Sequence, residues 1–191
     1  MRKTILHLKF TLILIENSDE VVKRACCMRI LLASGSQRRG EILTQRFGRI
    51  DQVALTDVDE TVPRAPISEQ VKQVTSRKAQ AVSLDDSYDV TVVADTLVED
   101  PDDEQQALGK PSSREQATAM LLRLRGRRHR VWSATMVFAR GEWYSSIENA
   151  IVEIEDFSDD ALIELIESES WIGKAGGYDM AGAMGQYAQL V

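Results

Sequence analysis

Residues 29–47, RILLASGSQRRGEILTQRF, decide how this chain folds. A short apolar run, Arg29–Ala33, is typical of a buried strand, and a Ser/Gly-rich turn follows it directly. Ile42, Leu43 and Phe47 then recur on one face of a helix. A strand, a tight loop and a helix in succession predict an α/β protein built on a sheet.

The rest of the chain repeats this alternation. Gln52–Leu55, Asp89–Val98, Arg130–Ala139 and Glu142–Glu155 have the pattern of strands. Helices are predicted after Ser68, which we expect to be an N-cap, after Ser113, whose capping box includes Gln116, and after Ser158. No internal repeat and no linker composition interrupts the pattern, which predicts a single α/β unit.

Composition excludes several classes of protein. Of 191 residues, 43% are hydrophobic and 28% charged, unlike disordered or collagen-like chains. A net charge of −7 disfavours general binding to nucleic-acid polymers, which requires a basic surface. The only two cysteines are adjacent, so no disulfide framework is present and a reducing, cytoplasmic compartment is expected. The apolar stretch within residues 1–15 is too short for a membrane span and contains Lys9.

The loop Ala33–Arg39 has the chemistry of an anion site. It follows a strand and opens a helix, where backbone N–H groups and the helix dipole favour negative charge. Ser34 and Ser36 add hydroxyl donors, and Arg38 and Arg39 add charge. Because Ser/Gly loops also serve as ordinary helix caps, the loop alone is weak evidence for a phosphate site.

Asp95 is a stronger candidate. It ends the buried run Val90–Ala94, where an ionised carboxylate is costly unless it is paired or bound to metal, although it also suits a simple turn. Lys78 lies on the apolar stripe of its helix, with Val71 and Val74. Such a lysine either extends along the surface to reach solvent or meets an anion. Thr96, beside Asp95, either donates to a ligand or satisfies the strand edge.

Two further lysines and one acidic segment extend this set of candidates. Lys110 stands between a glycine and a proline, and Lys174 lies among glycines. Glu60, in the segment 57–60, and Asp95 are carboxylates of the kind that hold Mg²⁺ or Mn²⁺. The acidic run 99–104 is instead expected to be a solvated loop. His7 and His129 lack zinc-ligand spacing, and no Walker loop, GxGxxG or GxSxG is present.

Seven segments together resemble the Maf family of nucleoside triphosphate pyrophosphatases, in the family's order and spacing. They are LLASGSQRRGEIL (31–43), DVDE (57–60), SRKAQA (76–81), VVADTLV (92–98), LGKP (108–111), AxxMLxxLxGxxHxV (117–131) and GKAGGY (173–178). The resemblance implies a Maf/inosine-triphosphatase-like α/β fold, with a long mixed sheet flanked by helices and a cleft between two lobes. It covers a domain at 29–191 and leaves 1–28 as an N-terminal extension, or as residues upstream of a start at Met28.

The same resemblance implies hydrolysis of a nucleoside triphosphate to the monophosphate and pyrophosphate, with Mg²⁺ or Mn²⁺. Asp95 matches the family's proton acceptor, and Glu60 matches an acidic residue of metal binding and catalysis, so both are the expected metal ligands. The expected substrate-binding residues are Ser34, Arg38, Arg39, Lys78, Thr96, Lys110 and Lys174. Arg38 and Thr96 accompany the dTTP/UTP subgroup, and non-standard nucleotides are the other expected substrates. The resemblance allows a homodimer and implies no nucleic-acid or membrane partner.

Three departures from the family pattern affect these expectations. Gln37 replaces a proline in the first loop, and Ala181 stands where the dTTP/UTP subgroup has glutamine. The family's last strand is also expected to be missing from the end of the domain. Ala181 and the missing strand favour an alternative function, a catalytically weak nucleotide-binding regulator of cell division, whereas the presence of all the polar site types favours the enzyme. An unrelated phosphosugar-binding module would account for the lysines but not for the ordered motifs.

Overall fold

A computed structural model describes residues 28–191. The extension expected at residues 1–28 therefore lies outside the described residues, apart from Met28. Within the described part of the chain there are four α-helices and seven strands. The helices are α1 (Gln37–Phe47), α2 (Ile67–Ala81), α3 (Arg114–Leu124) and α4 (Asp159–Glu167). The strands are β1 (Ile30–Ala33), β2 (Asp51–Val53), β3 (Val90–Asp100), β4 (Asp103–Leu108), β5 (Arg128–Ala139), β6 (Glu142–Ile154) and β7 (Ala188–Leu190).

All seven strands belong to one mixed sheet, as the sequence predicts for the fold class. Its order is β2-β1-β3-β5-β6-β7, and β4 pairs with β3 alongside this path. β1 runs parallel to β2 and to β3, whereas β3–β4 and β6–β7 are antiparallel. Arg140 and Gly141 link β5 to β6 with positive φ at both residues, the conformation of a two-residue hairpin turn.

Three of the helices begin with the side-chain caps that their sequences favour. Ser36 caps α1 by accepting from the Arg39 N–H, and Ser158 caps α4 by accepting from the Ala161 N–H. Ser113 caps α3 by accepting from the Gln116 N–H, while the Gln116 side chain reaches back to Ser112. The bond from the Gln116 N–H to the Ser113 side chain confirms one of the two bonds of the predicted capping box. In the other bond, the Gln116 side chain accepts from Ser112 instead of from Ser113.

The predicted cap of α2 is wrong. The helix begins at Ile67, one residue before Ser68, and the carbonyl of Pro66 accepts from the N–H groups of Glu69 and Gln70. Proline favours the start of a helix because its fixed φ is helical and it needs no hydrogen-bond acceptor there. Ser68 therefore lies within the first turn.

The chain divides into two compact units. The first contains the described residues up to Val62, Lys72–Asp95 and Ala134–Ile147, and the second contains Pro63–Val71, Thr96–Ser133 and Glu148–Val191. Each unit is assembled from three separate segments. The chain passes between units at Val62/Pro63 and inside α2, β3, β5 and β6. Four of these five crossings lie within a helix or a strand, where linker composition cannot mark them.

Each unit has its own buried core. In the first, one cluster includes Leu32, Leu43 and Val92, and another includes Val93 and Ala79. In the second, a larger cluster gathers apolar side chains of α3, α4 and β6. It includes Leu121, Ile154 and Leu165. The apolar positions that predict α1, α3 and α4 are thus largely the buried ones.

The acidic run 99–104 is not the solvated loop that its composition predicts. β3 continues to Asp100, and β4 begins at Asp103, so only two residues form the turn. Glu99 and Asp100 are buried, at 8% and 2% exposure. Arg130 pairs with Glu99 at 3.3 Å and Arg123 with Asp100 at 2.8 Å, which supplies the opposite charge that their burial requires.

None of the helices between residues 28 and 191 combines the length and the apolar character needed to cross a bilayer.

Candidate functional site

The carboxylate of Asp95 lies in β3 of the first unit and is largely buried. Its side chain is 11% exposed, and the Lys78 Nζ donates to Oδ1 at 2.7 Å. The Lys78 side chain, which is 13% exposed, comes from α2, where Val74 and Ala79 are buried around it. The lysine on the apolar stripe therefore meets an anion.

Glu60 is the second carboxylate at this lysine. Its Oε1 lies 2.8 Å from Lys78 Nζ, and its side chain is 54% exposed. One ammonium group thus bridges two carboxylates, one buried and one open to solvent. The three residues come from a loop, a helix and a strand, and the predicted pair of metal ligands is held by a single cation.

A guanidinium group adds a second positive charge. Arg39 Nη1 donates to the hydroxyl of Ser34 at 3.2 Å. Ser34 lies in the predicted anion loop, and Arg39 lies at the end of that loop, in the first turn of α1. Burial lowers the pKa of Arg39, while the negative charges of Asp95 and Glu60 act to raise it. An arginine remains charged under such opposing influences, so it contributes a fixed cation.

We name Ser34, Arg39, Glu60, Lys78 and Asp95 the charge cluster; all five belong to the first unit. In the free protein the two cations balance the two carboxylates. The donors suit the oxygens of a polyphosphate, and the carboxylates suit a hard divalent cation.

Arg38 does not join the charge cluster. It projects from α1 with its side chain 54% exposed and pairs with Glu41, one turn along the same helix, at 3.5 Å. Consecutive residues on a helix point about 100° apart, and here Arg38 is directed to Glu41 and Arg39 to Ser34.

The remaining predicted substrate residues belong to the second unit. The hydroxyl of Thr96 lies 3.0 Å from the hydroxyl of Ser133, and Lys174 pairs with Asp179 at 2.9 Å. Lys110 is exposed and makes no ion pair with the described residues. The predicted roles of these three residues in binding substrate stay predictions.

The loop that carries Glu60 is fixed by a residue that the sequence interpretation missed. Arg77, the neighbour of Lys78 in α2, donates to the carbonyls of Asp59 and Thr61, on either side of Glu60. The Thr61 N–H bonds the Asp59 carboxylate at 2.9 Å and lowers its pKa. The adjacent residues Arg77 and Lys78 are the sequence feature that could have indicated this role. Arg77 holds the backbone of the acidic loop, and Lys78 pairs with the Glu60 side chain.

The donor set is compatible with a magnesium-type ion. Within residues 28–191, no cluster of three or more His, Cys, Asp or Glu side chains is arranged to hold a metal. Mg²⁺ is commonly bound by one or two carboxylates together with water and substrate phosphates, and Glu60 and Asp95 supply those two. Lys78 pairs with both carboxylates, so its ammonium supplies the positive charge that a bound metal would supply in its place.

Comparisons with known proteins identify relatives of this chain. Residues 29–189 match the family model described as Maf-like protein. The chain is 33% identical over 159 residues to a dTTP/UTP pyrophosphatase of Ruegeria sp. (strain TM1040), covering 83% of this chain and 80% of that protein. It is 30% identical over 164 residues to a dTTP/UTP pyrophosphatase of Bacillus anthracis, covering 85% and 84%.

Among solved structures, the Staphylococcus aureus Ham1 protein is similar, with a TM-score of 0.45 and 18% identity. The similarity covers 67% of this chain and 72% of that one. The family match, by contrast, extends over most of the chain and includes all five residues of the charge cluster. On that match, and on the identity to curated relatives, the chain belongs to the Maf family.

Proposed function

We propose that the protein is a nucleoside triphosphate pyrophosphatase that acts on dTTP and UTP. It cleaves between the α- and β-phosphates and releases the monophosphate and pyrophosphate. The observation that carries this proposal is the buried Asp95 carboxylate, paired with Lys78 beside a second carboxylate and Arg39. The relatives named dTTP/UTP pyrophosphatase support the choice of reaction and of base.

Asp95 is the proposed general base. A carboxylate in a mostly buried position can orient a water molecule and take its proton as the water attacks phosphorus. Lys78 holds Oδ1 in place at 2.7 Å and supplies the opposite charge that a buried carboxylate requires. The proton moves from water to Asp95, and the electron pair of the broken P–O bond leaves on pyrophosphate.

Lys78, Arg39 and the Ser34 hydroxyl are the proposed phosphate-binding groups. Their positive charges and hydrogen bonds stabilise negative charge that develops on the leaving pyrophosphate. Glu60 and Asp95 would hold Mg²⁺ or Mn²⁺. When bound, such an ion neutralises phosphate charge and polarises the scissile bond.

The test is a panel of canonical and modified nucleoside triphosphates, with and without Mg²⁺ or Mn²⁺, with monophosphate and pyrophosphate both measured. We expect pyrophosphate release, with dTTP and UTP turned over fastest. Asp95→Asn should lower kcat at least about 100-fold, since it removes the base, whereas Asp86→Asn, at an exposed aspartate, should not.

Two outcomes would contradict the proposal. Release of orthophosphate instead of pyrophosphate would exclude the reaction. Nucleotide binding with no turnover under any metal condition would favour the catalytically weak regulator.

A further inference from the structure

Gln52 lies beside the anion loop without belonging to any motif of the chain. It is the central residue of β2, the edge strand, and pairs in register with Leu32 of β1, two residues before Ser34. Its Nε2 donates to the carbonyl of Ser34 at 2.6 Å and to the carbonyl of Ser36 at 3.1 Å. An amide NH₂ has two hydrogens, and both are used on the backbone of this one loop.

These two bonds fix the part of the loop that presents its functional groups. The Ser34 hydroxyl accepts from Arg39 and from the Ser36 N–H, and the Ser36 hydroxyl caps α1. With both carbonyls tied to Gln52, the serine hydroxyls and the Arg39 side chain keep a single arrangement. The neighbouring residue, Gln37, cannot restrict the loop as a proline at this position would.

Gly40 provides an independent observation. A Cβ at this position of α1 would lie 2.2 Å from Oε1 of Gln52 and 3.2 Å from its Cδ. The glycine therefore leaves the space that the Gln52 side chain needs to reach the loop. Alanine would favour the helix itself, so the requirement for glycine comes from the glutamine.

We propose that Gln52 is a positioning residue that holds the loop 34–37 in the conformation that binds the triphosphate. The proposal rests on the proposed function only in naming the triphosphate as the ligand. Gln52 acts through the backbone of the loop and does not touch the reacting atoms. Loss of its bonds should therefore weaken substrate binding while leaving the chemical step intact.

Steady-state kinetics with dTTP test this division. Gln52→Ala should raise KM about three- to tenfold and leave kcat within about twofold, since it removes two hydrogen bonds that order the loop. Gln45→Ala, at an exposed glutamine of α1 that makes no contact with the loop, is the matched control and should leave both constants unchanged.

Gly40→Ala separates positioning from stability. The new methyl group should displace the Gln52 amide and raise KM as Gln52→Ala does. The higher helix propensity of alanine offsets part of the stability lost with the two hydrogen bonds, so Tm should fall less than in Gln52→Ala. In the double variant Gly40→Ala/Gln52→Ala, KM should be no higher than in Gln52→Ala, because both changes break the same bonds.

Gln37→Pro should restore the KM of the Gln52→Ala protein by at least half. Position 37 is the first residue of α1, where proline is favoured, and Ser36 has the extended backbone that precedes proline comfortably. In the wild-type background the same change should leave KM within about twofold, since Gln52 already orders the loop.

Hydrogen exchange without nucleotide tests the positioning apart from catalysis. Gln52→Ala should speed exchange of the amides of residues 36–40 and leave α3 unchanged. If the wild-type protein hydrolyses no nucleotide, the proposed function fails, and this exchange measurement still decides the role of Gln52. Unchanged exchange, an unchanged KM, or additive effects of Gly40→Ala and Gln52→Ala would overturn the proposal.

Discussion

Lys78 donates to Asp95 at 2.7 Å, and neither side chain is more than 13% exposed. A buried ion pair of this kind contributes little net stability, because each charge has lost most of its contact with water. Removing one partner is different, since the other charge then stays buried without compensation. Loss of either side chain should therefore lower both the stability of the fold and the rate of the proposed reaction.

Lys78→Met should lower the free energy of unfolding by about 2–4 kcal/mol, because Asp95 keeps its burial and loses its nearest cation. Urea denaturation at pH 7 measures this loss. Lys72→Met, at an exposed lysine of the same helix, should change stability by less than about 0.5 kcal/mol. Equal effects of the two substitutions would show that burial of the pair has no energetic consequence.

Lys78 also opposes metal binding in the absence of nucleotide, since its ammonium lies between the two predicted ligands. Lys78→Met should therefore bind Mn²⁺ at least about tenfold more tightly than the wild type, as measured by titration calorimetry without nucleotide. Lys72→Met should bind as the wild type does. Weaker or unchanged binding by a folded Lys78→Met protein would argue against Glu60 and Asp95 as the ligands.

In the second unit, the buried carboxylate of Asp100 forms an ion pair with Arg123. Arg123 Nε lies 2.8 Å from Oδ2, and the Asp100 side chain is 1% exposed. Arg123→Met should cost about 3 kcal/mol of stability, and adding Asp100→Asn should recover part of it by removing the charge.

Arg114→Met is the control for that experiment. Arg114 lies on the same helix, and its pair with Glu169 is more than half exposed, so its loss should cost less than about 1 kcal/mol. Thermal or urea unfolding of the four proteins gives the comparison. The prediction is contradicted if Arg114→Met destabilises the protein as much as Arg123→Met.

His129 should make stability depend on pH. Its residue is 4% exposed, its Nε2 lies 2.7 Å from the Tyr178 hydroxyl, and burial lowers its pKa from 6.5 to about 4. Between these values the unfolded chain binds a proton that the folded protein does not. Stability is therefore full above pH 6.5 and falls as the pH falls toward 4.

Between pH 6.5 and pH 5 the loss due to His129 should be about 2 kcal/mol. His129→Gln keeps a hydrogen-bonding group opposite Tyr178 and removes the titration. Its free energy of unfolding should decline less over this interval than that of the wild type, by about the same amount. If the free energy of unfolding declined equally in the two proteins, the folded protein would be binding the proton on His129 as the unfolded chain does, and the prediction would be wrong.

The features predicted well from the sequence are those determined by neighbouring residues. A polar residue that ends an apolar run, as Asp95 does, or a lysine on an apolar stripe, as Lys78 is, stands out because burial without a partner is costly. The motif order likewise predicts the family correctly. Caps such as Ser36 and Ser158 follow from the hydrogen-bonding needs of helix ends.

Gln52 and Arg77 were missed because their partners are backbone carbonyls of other segments. Gln52 is 16 and 18 positions from the carbonyls it contacts, and Arg77 is likewise 16 and 18 positions from those of the acidic loop. A surface-type residue in an edge strand or on a helix shows no periodicity that would distinguish it. Only the pairing of strands and the packing of α2 bring such groups together.

The sequence by itself determined the alternation of strands and helices and the caps of three helices, because hydrophobic periodicity and local capping act over a few residues. The tertiary structure decided which charges meet. It turned Arg38 toward Glu41 and Arg39 toward Ser34, and it buried Glu99 and Asp100 in a strand. The physical reason is that the cost of burying a charge depends on partners far along the chain, which local pattern does not contain.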